Sequence, residues 1–255
     1  SESIYKSSPN TMKTPTKNLN KTLNKTLNVF NPATEELIST LESDTSDSIA
    51  EKFAEAKTIQ PQWNAFGLSK RIECVSQFSN YLEKNKDKLA RILTLEVGKP
   101  LRQSINEING ARTRISFFLN NAEKYLATET VLDEGSKVEQ IAYESLGTIG
   151  VISAWNYPYL VGVNAIVPGL LCGNSILYKP SEFSTLTGIE ITKALHESGV
   201  PKEVFACVVG DGTVGAALTD LQTDGLYFTG SLSTGQKIRR AISSRFIPSG
   251  FELGG

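Results

Sequence analysis

Two polar side chains in this sequence have the chemistry to act on a bound substrate. Asn156 follows an apolar run at residues 148–153, and Glu252 lies in the motif Phe251-Glu252-Leu253-Gly254-Gly255. An asparagine amide at a strand end can donate hydrogen bonds to an oxygen that becomes negative during a reaction, the oxyanion-hole role. A glutamate carboxyl in mostly apolar surroundings can have its pKa raised enough to act as a general base. The structural alternatives are a helix cap ahead of Pro158 for Asn156, and a cap or salt bridge for Glu252.

Two further groups of residues have the chemistry to hold a nucleotide. Lys179 and Glu182 follow each other closely at the end of an apolar run at residues 175–179. A carboxylate there accepts hydrogen bonds from ribose hydroxyls, and the lysine can donate them. Gly230 and Ser231 form a turn that opens a helix, where free backbone N–H groups and the helix dipole favour a pyrophosphate. An ordinary salt-bridged loop and a purely structural turn are the alternatives.

A second glycine-containing turn, Gly210-Asp211-Gly212, also precedes a predicted helix. Because glycine has no side chain, the backbone at Gly212 can approach a neighbouring group closely. The helix could therefore pack close to a bound adenine, or merely close to the sheet.

Each of these groups follows an apolar run that predicts a β-strand. Such runs alternate with helical patterns, with strands at residues 148–153, 175–179, 204–209 and 225–228 and helices near residues 159–171, 186–198, 214–221 and 234–243. This alternation predicts an α/β fold, a parallel sheet with helices on both faces. Ligands of such sheets bind at the carboxyl ends of the strands, where all these residues fall.

The residues before this alternation divide into three parts. Residues 1–28 carry five lysines against one acid and few apolar side chains, so we expect a disordered tail there. Residues 31–34, Asn-Pro-Ala-Thr, predict a turn between two short strands, and a mostly helical stretch follows, beginning at Ser46 or Asp47. Alternating apolar and polar residues then predict a strand or hairpin at residues 137–147.

The composition restricts the class of protein. The chain has 255 residues, 40% hydrophobic and 21% charged, which is typical of a soluble globular protein. A formal net charge of -1 argues against nucleic acid as a partner, and no apolar run is long enough to span a membrane. A single histidine and three scattered cysteines, Cys74, Cys172 and Cys207, fit neither a disulfide framework nor a metal site. We therefore expect no metal, small buried cysteines and a cytoplasmic location.

In their order and spacing, these motifs resemble the aldehyde dehydrogenase superfamily from about Val29 to the end of the chain. The strings that carry the resemblance are Leu95-Glu96-Val97-Gly98-Lys99-Pro100, Ala154-Trp155-Asn156-Tyr157-Pro158, Gly173-Asn174, Lys179-Pro180-Ser181-Glu182, Phe228-Thr229-Gly230-Ser231 and Glu252-Leu253-Gly254-Gly255. The resemblance implies a Rossmann-like NAD-binding domain at residues 29–255, in which residues 137–147 form an oligomerisation hairpin.

The resemblance also implies a reaction and the residues that perform it. An aldehyde is oxidised to a carboxylic acid by NAD(P), through a thiohemiacetal, hydride transfer to the nicotinamide and hydrolysis of a thioester. Asn156 would stabilise the oxyanion, and Glu252 would activate the cysteine or the hydrolytic water. The implied cofactor residues are Lys179 and Glu182 at the adenosine ribose, Gly230 and Ser231 at the pyrophosphate, and the backbone near Ile152 and Trp155 lining the cleft.

Two of these residues refine the implied chemistry. Glu182 would accept hydrogen bonds from ribose hydroxyls but repel a 2′-phosphate, so NAD is preferred, while the positive charge of Lys179 keeps NADP possible. Relatives that transfer the acyl group to coenzyme A typically lack a glutamate at the position of Glu252. Its presence therefore favours hydrolysis to the free acid.

The sequence departs from the family pattern in one respect. Family members place the nucleophilic cysteine a few tens of residues beyond Glu-Leu-Gly-Gly, and none of the three cysteines matches that position. We expect the chain to be part of a full-length, homo-oligomeric dehydrogenase, without its catalytic domain and inactive alone. The alternative is a short non-catalytic nucleotide-binding or assembly protein derived from the family.

Overall fold

A computed structural model describes residues 25–254 of the chain. Its first elements are strands β1 (Thr26–Phe30) and β2 (Leu37–Glu42), which pair antiparallel around the turn predicted at residues 31–34. Residues 1–24 of the predicted tail lie outside the described residues. The tail boundary predicted at residue 28 is wrong, because Thr26 and Asn28 are paired with Glu42 and Thr40 across the β1–β2 ladder. The composition of a segment does not reveal backbone hydrogen bonds supplied by a partner strand.

Four helices follow: α1 (Ser46–Ala65), α2 (Leu68–Lys84), α3 (Lys86–Val97) and α4 (Leu101–Tyr125). Helix α1 begins one residue after Thr45, whose hydroxyl accepts from the backbone N–H of Ser48 at 3.1 Å. The helix continues through Pro61 to Ala65. The indole Nε1 of the fully buried Trp63 donates to the Leu170 carbonyl at 3.1 Å, and this packing outweighs the loss of one helical hydrogen bond at the proline.

Strands β3 (Glu129–Asp133) and β4 (Val138–Ile141) form a separate antiparallel hairpin. The hairpin therefore begins earlier than residues 137–147, the range predicted from the sequence. Its turn contains Gly135, at φ 77°, whose N–H donates to Oδ1 of Asp133 at 3.1 Å. Strand β3 was missed because its sequence, Glu-Thr-Val-Leu-Asp, does not alternate apolar and polar residues.

The remainder forms the predicted parallel sheet with helices on both faces. Its elements are β5 (Thr148–Ile152), α5 (Pro158–Leu171), β6 (Ser175–Lys179), α6 (Thr185–Glu197), β7 (Phe205–Cys207), α7 (Gly212–Asp220), β8 (Gly225–Gly230), α8 (Leu232–Ala241) and β9 (Ser249–Leu253). The strand order is β7-β6-β5-β8-β9, with every neighbouring pair parallel. The α/β prediction is confirmed, and β9 adds a fifth strand that the sequence did not predict.

Side chains alternate across the sheet and divide the interior into two layers. Ile149 and Val151 of β5 belong to a buried cluster shared with α4, α5 and α6. Ile152, on the opposite face, belongs to a second cluster shared with α1, α7 and α8. Among residues 25–254, no helix is both long enough and apolar enough to cross a bilayer.

Candidate functional site

The predicted site residues all line one open cavity of about 1240 Å³, which extends from the carboxyl ends of the strands along the sheet to Cys172 and Asn174. They are Ile152, Trp155, Asn156, Lys179, Glu182, Gly212, Gly230, Ser231 and Glu252. The chain runs from β5 outward to β6 and β7, then returns to the other side of β5 as β8 and β9. The loops that follow β5 and β8 therefore diverge, which opens a crevice at this switch point of the sheet.

Lys179, the last residue of β6, is buried at the wall of the cavity, with 2% of its surface exposed. Its Nζ donates to the Pro180 carbonyl at 2.9 Å and lies 3.9 Å from Oε2 of Glu182. Burial lowers the pKa of Lys179, and the carboxylates of Glu182 and Asp211 oppose that shift. The ammonium group is thus held beside half-exposed acidic groups at the ends of β6 and β7.

Gly212 is the first residue of α7 and is exposed at the cavity. The carboxylate of Asp211 caps this helix, accepting from the Thr213 N–H at 2.8 Å. One turn later, a Cβ atom on Gly215 would lie 3.4 Å from Cδ and Cε of Lys179. The absence of a side chain at Gly215 lets the first turn of α7 pack closely on the lysine stem.

Gly230 ends β8, and Ser231 is the N-cap of α8. The Ser231 hydroxyl accepts from the Thr234 N–H at 3.3 Å, and Ser231 is exposed at the cavity. The first N–H groups of α8 therefore lie at the mouth of the crevice. This is the geometry in which a helix N-terminus attracts an anion.

Asn156 lies exposed in the turn between β5 and α5. Its Oδ1 accepts from the Tyr157 N–H at 3.0 Å, and its amide nitrogen makes no hydrogen bond within residues 25–254. Asn156 does not cap α5, because the N–H groups of Tyr159 and Leu160 donate to Oε1 of Glu107 at 2.8 and 3.4 Å. The amide of Asn156 is thereby left available to a group in the cavity.

Glu252 lies in the edge strand β9, opposite Thr229 of β8. The sequence predicted mostly apolar company for its carboxyl group, and this prediction is wrong: the residue is exposed. An edge strand buries fewer side chains than a central one, and among the described strands β9 has only β8 beside it. The Glu252 side chain makes no ion pair or hydrogen bond within the described part of the chain, so neither structural alternative is observed.

Two buried carboxylates near the site were missed by the sequence reasoning. Glu96 of α3 accepts from the N–H groups of Leu186 and Thr187 at 2.6 and 2.9 Å, and so caps α6. Glu107 of α4 caps α5 and pairs with Lys99. Burial raises the pKa of both carboxyl groups. The available signal was a glutamate at an apolar position of an amphipathic helix, since Glu96 follows Leu93 by three residues.

The Gly173-Asn174 motif lies at the opposite end of the sheet from the strand-end residues. Oδ1 of Asn174 accepts from the Gly147 N–H, and its Nδ2 donates to the Gly169 carbonyl, both at 3.0 Å. Asn174 is buried and joins the starts of β5 and β6 to the end of α5. Its role in the described residues is structural.

The cysteines and acidic residues offer neither a nucleophile nor a metal centre in the described residues. Burial raises the pKa of Cys74 and Cys172, and raises that of Cys207 to about 11. Cys172 follows α5, at the far end of that helix from Asn156. No group of three or more His, Cys, Asp or Glu side chains within residues 25–254 could hold a metal ion.

Comparison with known proteins identifies the family. The family model "Aldehyde dehydrogenase family" matches residues 19–255. The chain is 31% identical to a putative succinate-semialdehyde dehydrogenase [NADP(+)] of Mycolicibacterium smegmatis, over 86% of the chain and 43% of the relative. It is also 31% identical to betaine aldehyde dehydrogenase of Bacillus subtilis, over 89% of the chain and 47% of the relative.

Solved structures agree with this result. Betaine aldehyde dehydrogenase of Staphylococcus aureus, in complex with NAD+, matches with a TM-score of 0.85 and 27% identity, over 90% of the chain and 48% of that structure. An NADP-dependent enzyme of E. coli matches with the same TM-score, identity and coverage. The chain spans about half the length of the curated relatives it matches. It belongs to the aldehyde dehydrogenase family, as the sequence motifs predicted.

Proposed function

We propose that this member of the aldehyde dehydrogenase family binds NAD in the strand-end cavity, as part of an enzyme that oxidises an aldehyde to a carboxylic acid. The observation that carries the proposal is that Lys179 and Ser231 line one cavity from the two sides of β5. A dinucleotide needs hydrogen-bonding groups for its ribose and N–H donors for its pyrophosphate, separated by such a crevice.

The residues present fit the adenosine half of NAD. Glu182 would accept from the ribose hydroxyls, and Lys179, buried beside it, would donate to them. The bare backbone of α7 at Gly212, where a Cβ atom would meet nothing within 4 Å, leaves room for the adenine against the helix. We propose NAD as the preferred cofactor because Glu182 would repel a 2′-phosphate, while Lys179 keeps NADP possible.

The other half of the dinucleotide fits the far side of the cavity. Gly230, Ser231 and the N-terminus of α8 would receive the pyrophosphate. Ile152, with 8% of its surface exposed, and the backbone at Trp155 would line the cleft between the two halves. When bound, the nicotinamide supplies the acceptor for a hydride from the substrate carbon.

Two residues of this chain would act on the substrate. The amide nitrogen of Asn156, which makes no hydrogen bond to any residue from 25 to 254, would donate to the substrate oxygen as negative charge develops on it. Glu252 is exposed to the cavity and would accept a proton from the attacking thiol or water. A carboxylate in that position supports release of a free acid.

The reaction also needs a thiolate nucleophile. Cys172 lines the cavity but lies at the end of α5 far from Asn156, and neither Cys74 nor Cys207 lines it. Burial raises the pKa of each thiol, so the reactive anion is disfavoured at neutral pH. We therefore propose that the 255-residue chain does not turn over aldehyde by itself. Reduction of NAD by the purified chain with any aldehyde would refute this.

Isothermal titration of the chain with NAD tests the cofactor site. We expect weak, saturable binding that falls by about tenfold or more when Lys179 and Glu182 are both changed to Ala, because two ribose contacts are lost. The double change of Lys193 and Glu197, an exposed pair on α6 at 3.7 Å, is the matched control. Unchanged affinity in the Lys179/Glu182 variant would contradict the assigned site.

The β3–β4 hairpin supports a proposal about assembly. Val131, Val138 and Ile141 of this two-stranded sheet and Tyr143, just after it, are about half exposed, and within residues 25–254 each strand has one unpaired edge. Exposed strand edges pair readily with another chain. We propose that the hairpin joins copies of the protein into a homo-oligomer. The same surface would serve the second candidate function, a non-catalytic assembly protein.

We also propose a cytoplasmic location. All three cysteines are free in the structure, as is typical of proteins in a reducing compartment.

A further inference from the structure

The ammonium group of Lys99 is surrounded by three groups from different parts of the chain. Its Nζ lies 2.5 Å from Oε2 of Glu107 and 2.5 Å from the backbone carbonyl oxygen of Asn156. It also lies 4.0 Å from the ring centroid of Tyr157, a distance at which a cation is attracted to the aromatic face. The Lys99 side chain is 10% exposed and that of Glu107 is fully buried, so water competes little for these contacts.

The position of Lys99 is set by the end of α3. Gly98, at φ 81°, ends this helix in the left-handed conformation, and its N–H donates to the Thr94 carbonyl at 2.9 Å. Pro100 precedes α4, so Lys99 is held in a short link between two helix ends. The Lys99 side chain therefore extends to the turn after β5 from a backbone position fixed by these two helix ends.

The carboxylate of Glu107 connects the same turn to α4. Its Oε2 accepts a hydrogen bond from the Lys99 ammonium, while its Oε1 accepts from the backbone N–H groups of Tyr159 and Leu160 at the start of α5. The turn that carries Asn156 is therefore held on both sides, at the Asn156 carbonyl and at the first N–H groups of α5. A buried carboxylate that caps a helix and pairs with a lysine has no unsatisfied oxygen.

The side chain of Asn156 has little support of its own. It is exposed, and its only hydrogen bond within the described residues is the local one from the Tyr157 N–H. Its direction therefore depends on the backbone of the turn. A donor for a developing oxyanion must be oriented before the reaction, since reorientation during it would cost free energy.

We propose that Lys99 and Glu107 are positioning residues that fix the turn at Asn156 and so direct its amide into the cavity. The value of this for catalysis rests on the role proposed above for Asn156. The link itself is a property of the folded chain and can be measured without turnover.

Hydrogen exchange of the whole chain, resolved to single amides, tests the link. In Lys99→Met we expect the amides of Tyr157, Tyr159 and Leu160 to exchange about tenfold faster, because local opening of the turn becomes easier. Amides of β6 should change by less than about twofold, since its ladder does not touch the network. Equal acceleration throughout the chain, or no change at the turn, would overturn the proposal.

Trp155 gives a second readout that a purely global loss of stability would not reproduce. The chain has two tryptophans, of which Trp63 is fully buried and Trp155 is 49% exposed, so acrylamide quenching of folded protein reports on Trp155. We expect a quenching slope about twofold steeper in Lys99→Met, and a return toward the wild-type slope in Lys99→Arg, which keeps a cation. An arginine variant that behaves like methionine would count against a positioning role.

Two further variants distinguish a positioning role of Lys99 from other causes of faster exchange and steeper quenching. Lys88→Met removes an exposed lysine paired with Glu190 at 3.0 Å and should leave both readouts unchanged. Lys99→Met combined with Glu107→Gln avoids a buried unpaired carboxylate, so it should fold while keeping the steeper quenching. If the turn loosens as expected but wild-type protein fails to bind NAD, the proposed function fails and the positioning inference stands.

Discussion

Ile152 and Lys179 are register partners at the ends of β5 and β6, and the N–H of the next residue, Ser153, donates to the Lys179 carbonyl at 3.0 Å. The two strands therefore end level with each other. A lysine that belongs to the sheet is thereby presented to the cavity from a rigid element. Sites built on strands are held more accurately than sites on loops.

Changing Glu182 to Gln should alter the choice between NAD and NADP. The amide removes one negative charge beside the proposed position of the 2′-phosphate, so we expect NADP affinity to rise by about tenfold relative to NAD. Calorimetric titration with both cofactors measures the ratio. Glu190→Gln is the control, because Glu190 lies in the following helix α6 and does not line the cavity. A ratio unaffected by Glu182→Gln would place the adenosine ribose elsewhere.

The hairpin should control self-association. Val138 is 54% exposed on β4, and we expect Val138→Asp to weaken the oligomer because a charge is placed on a proposed apolar contact. Sedimentation velocity over a range of concentrations measures the effect. Leu95→Asp, a similar change at an exposed residue of α3, tests whether any added charge has this result. Wild-type protein that stays monomeric at high concentration would contradict the proposal.

Glu96 should give the protein a measurable pH dependence. Burial raises the pKa of Glu96 in the folded state above its ordinary value of 4.5. The folded state then binds the proton more tightly, so this contribution to stability is present below pH 4.5 and is lost as the pH rises through the folded pKa.

Glu96→Gln removes that titration. The free energy of unfolding of wild type minus that of the variant should therefore decrease as the pH rises from 4.5 toward neutrality. Denaturant unfolding at a series of pH values measures it. Glu55→Gln controls for the change from carboxyl to amide at an exposed position of α1. A difference that increases with pH would mean that the three donors around Glu96, the N–H groups of Leu186 and Thr187 and the Thr187 hydroxyl, outweigh its burial.

The cysteines should react slowly with thiol reagents at neutral pH. Because burial raises the pKa of all three, and that of Cys207 to about 11, the thiolate fraction is small. Iodoacetamide labelling followed by mass spectrometry should show slow modification at pH 7 that accelerates in alkali or in denaturant. A cysteine labelled rapidly at pH 7 in folded protein would be a candidate for the nucleophile that the proposed function lacks.

The central strands were predictable from the sequence because strands buried on both faces appear as continuous apolar runs. The edge strand β9 was not, since it contains Gly250 and an exposed glutamate and offers no such run. The same exposure makes the expected surroundings of Glu252 wrong. Strand β3 was not predicted for a related reason, because its residues are mostly exposed.

The site residues at strand ends could be found one by one, because each follows an apolar run directly. The contact between Lys99 and Asn156 could not, since the residues are 57 positions apart in sequence and lie on different elements. Helical periodicity gives the face on which Glu107 lies but not the helix that it caps. Only the packing of α4 on α5 brings its carboxylate to Tyr159.

The contact between Gly98 and Pro32 should constrain how these two positions diverge during evolution. A Cβ atom on Gly98 would lie 2.7 Å from Cγ of Pro32, in addition to the cost of its left-handed backbone. A homologue with a side chain at position 98 should therefore tend to lack proline at position 32. The effects of the two substitutions should be non-additive. Substitutions in the turn between β1 and β2 would then be coupled to substitutions beside Lys99, the residue that contacts the Asn156 carbonyl.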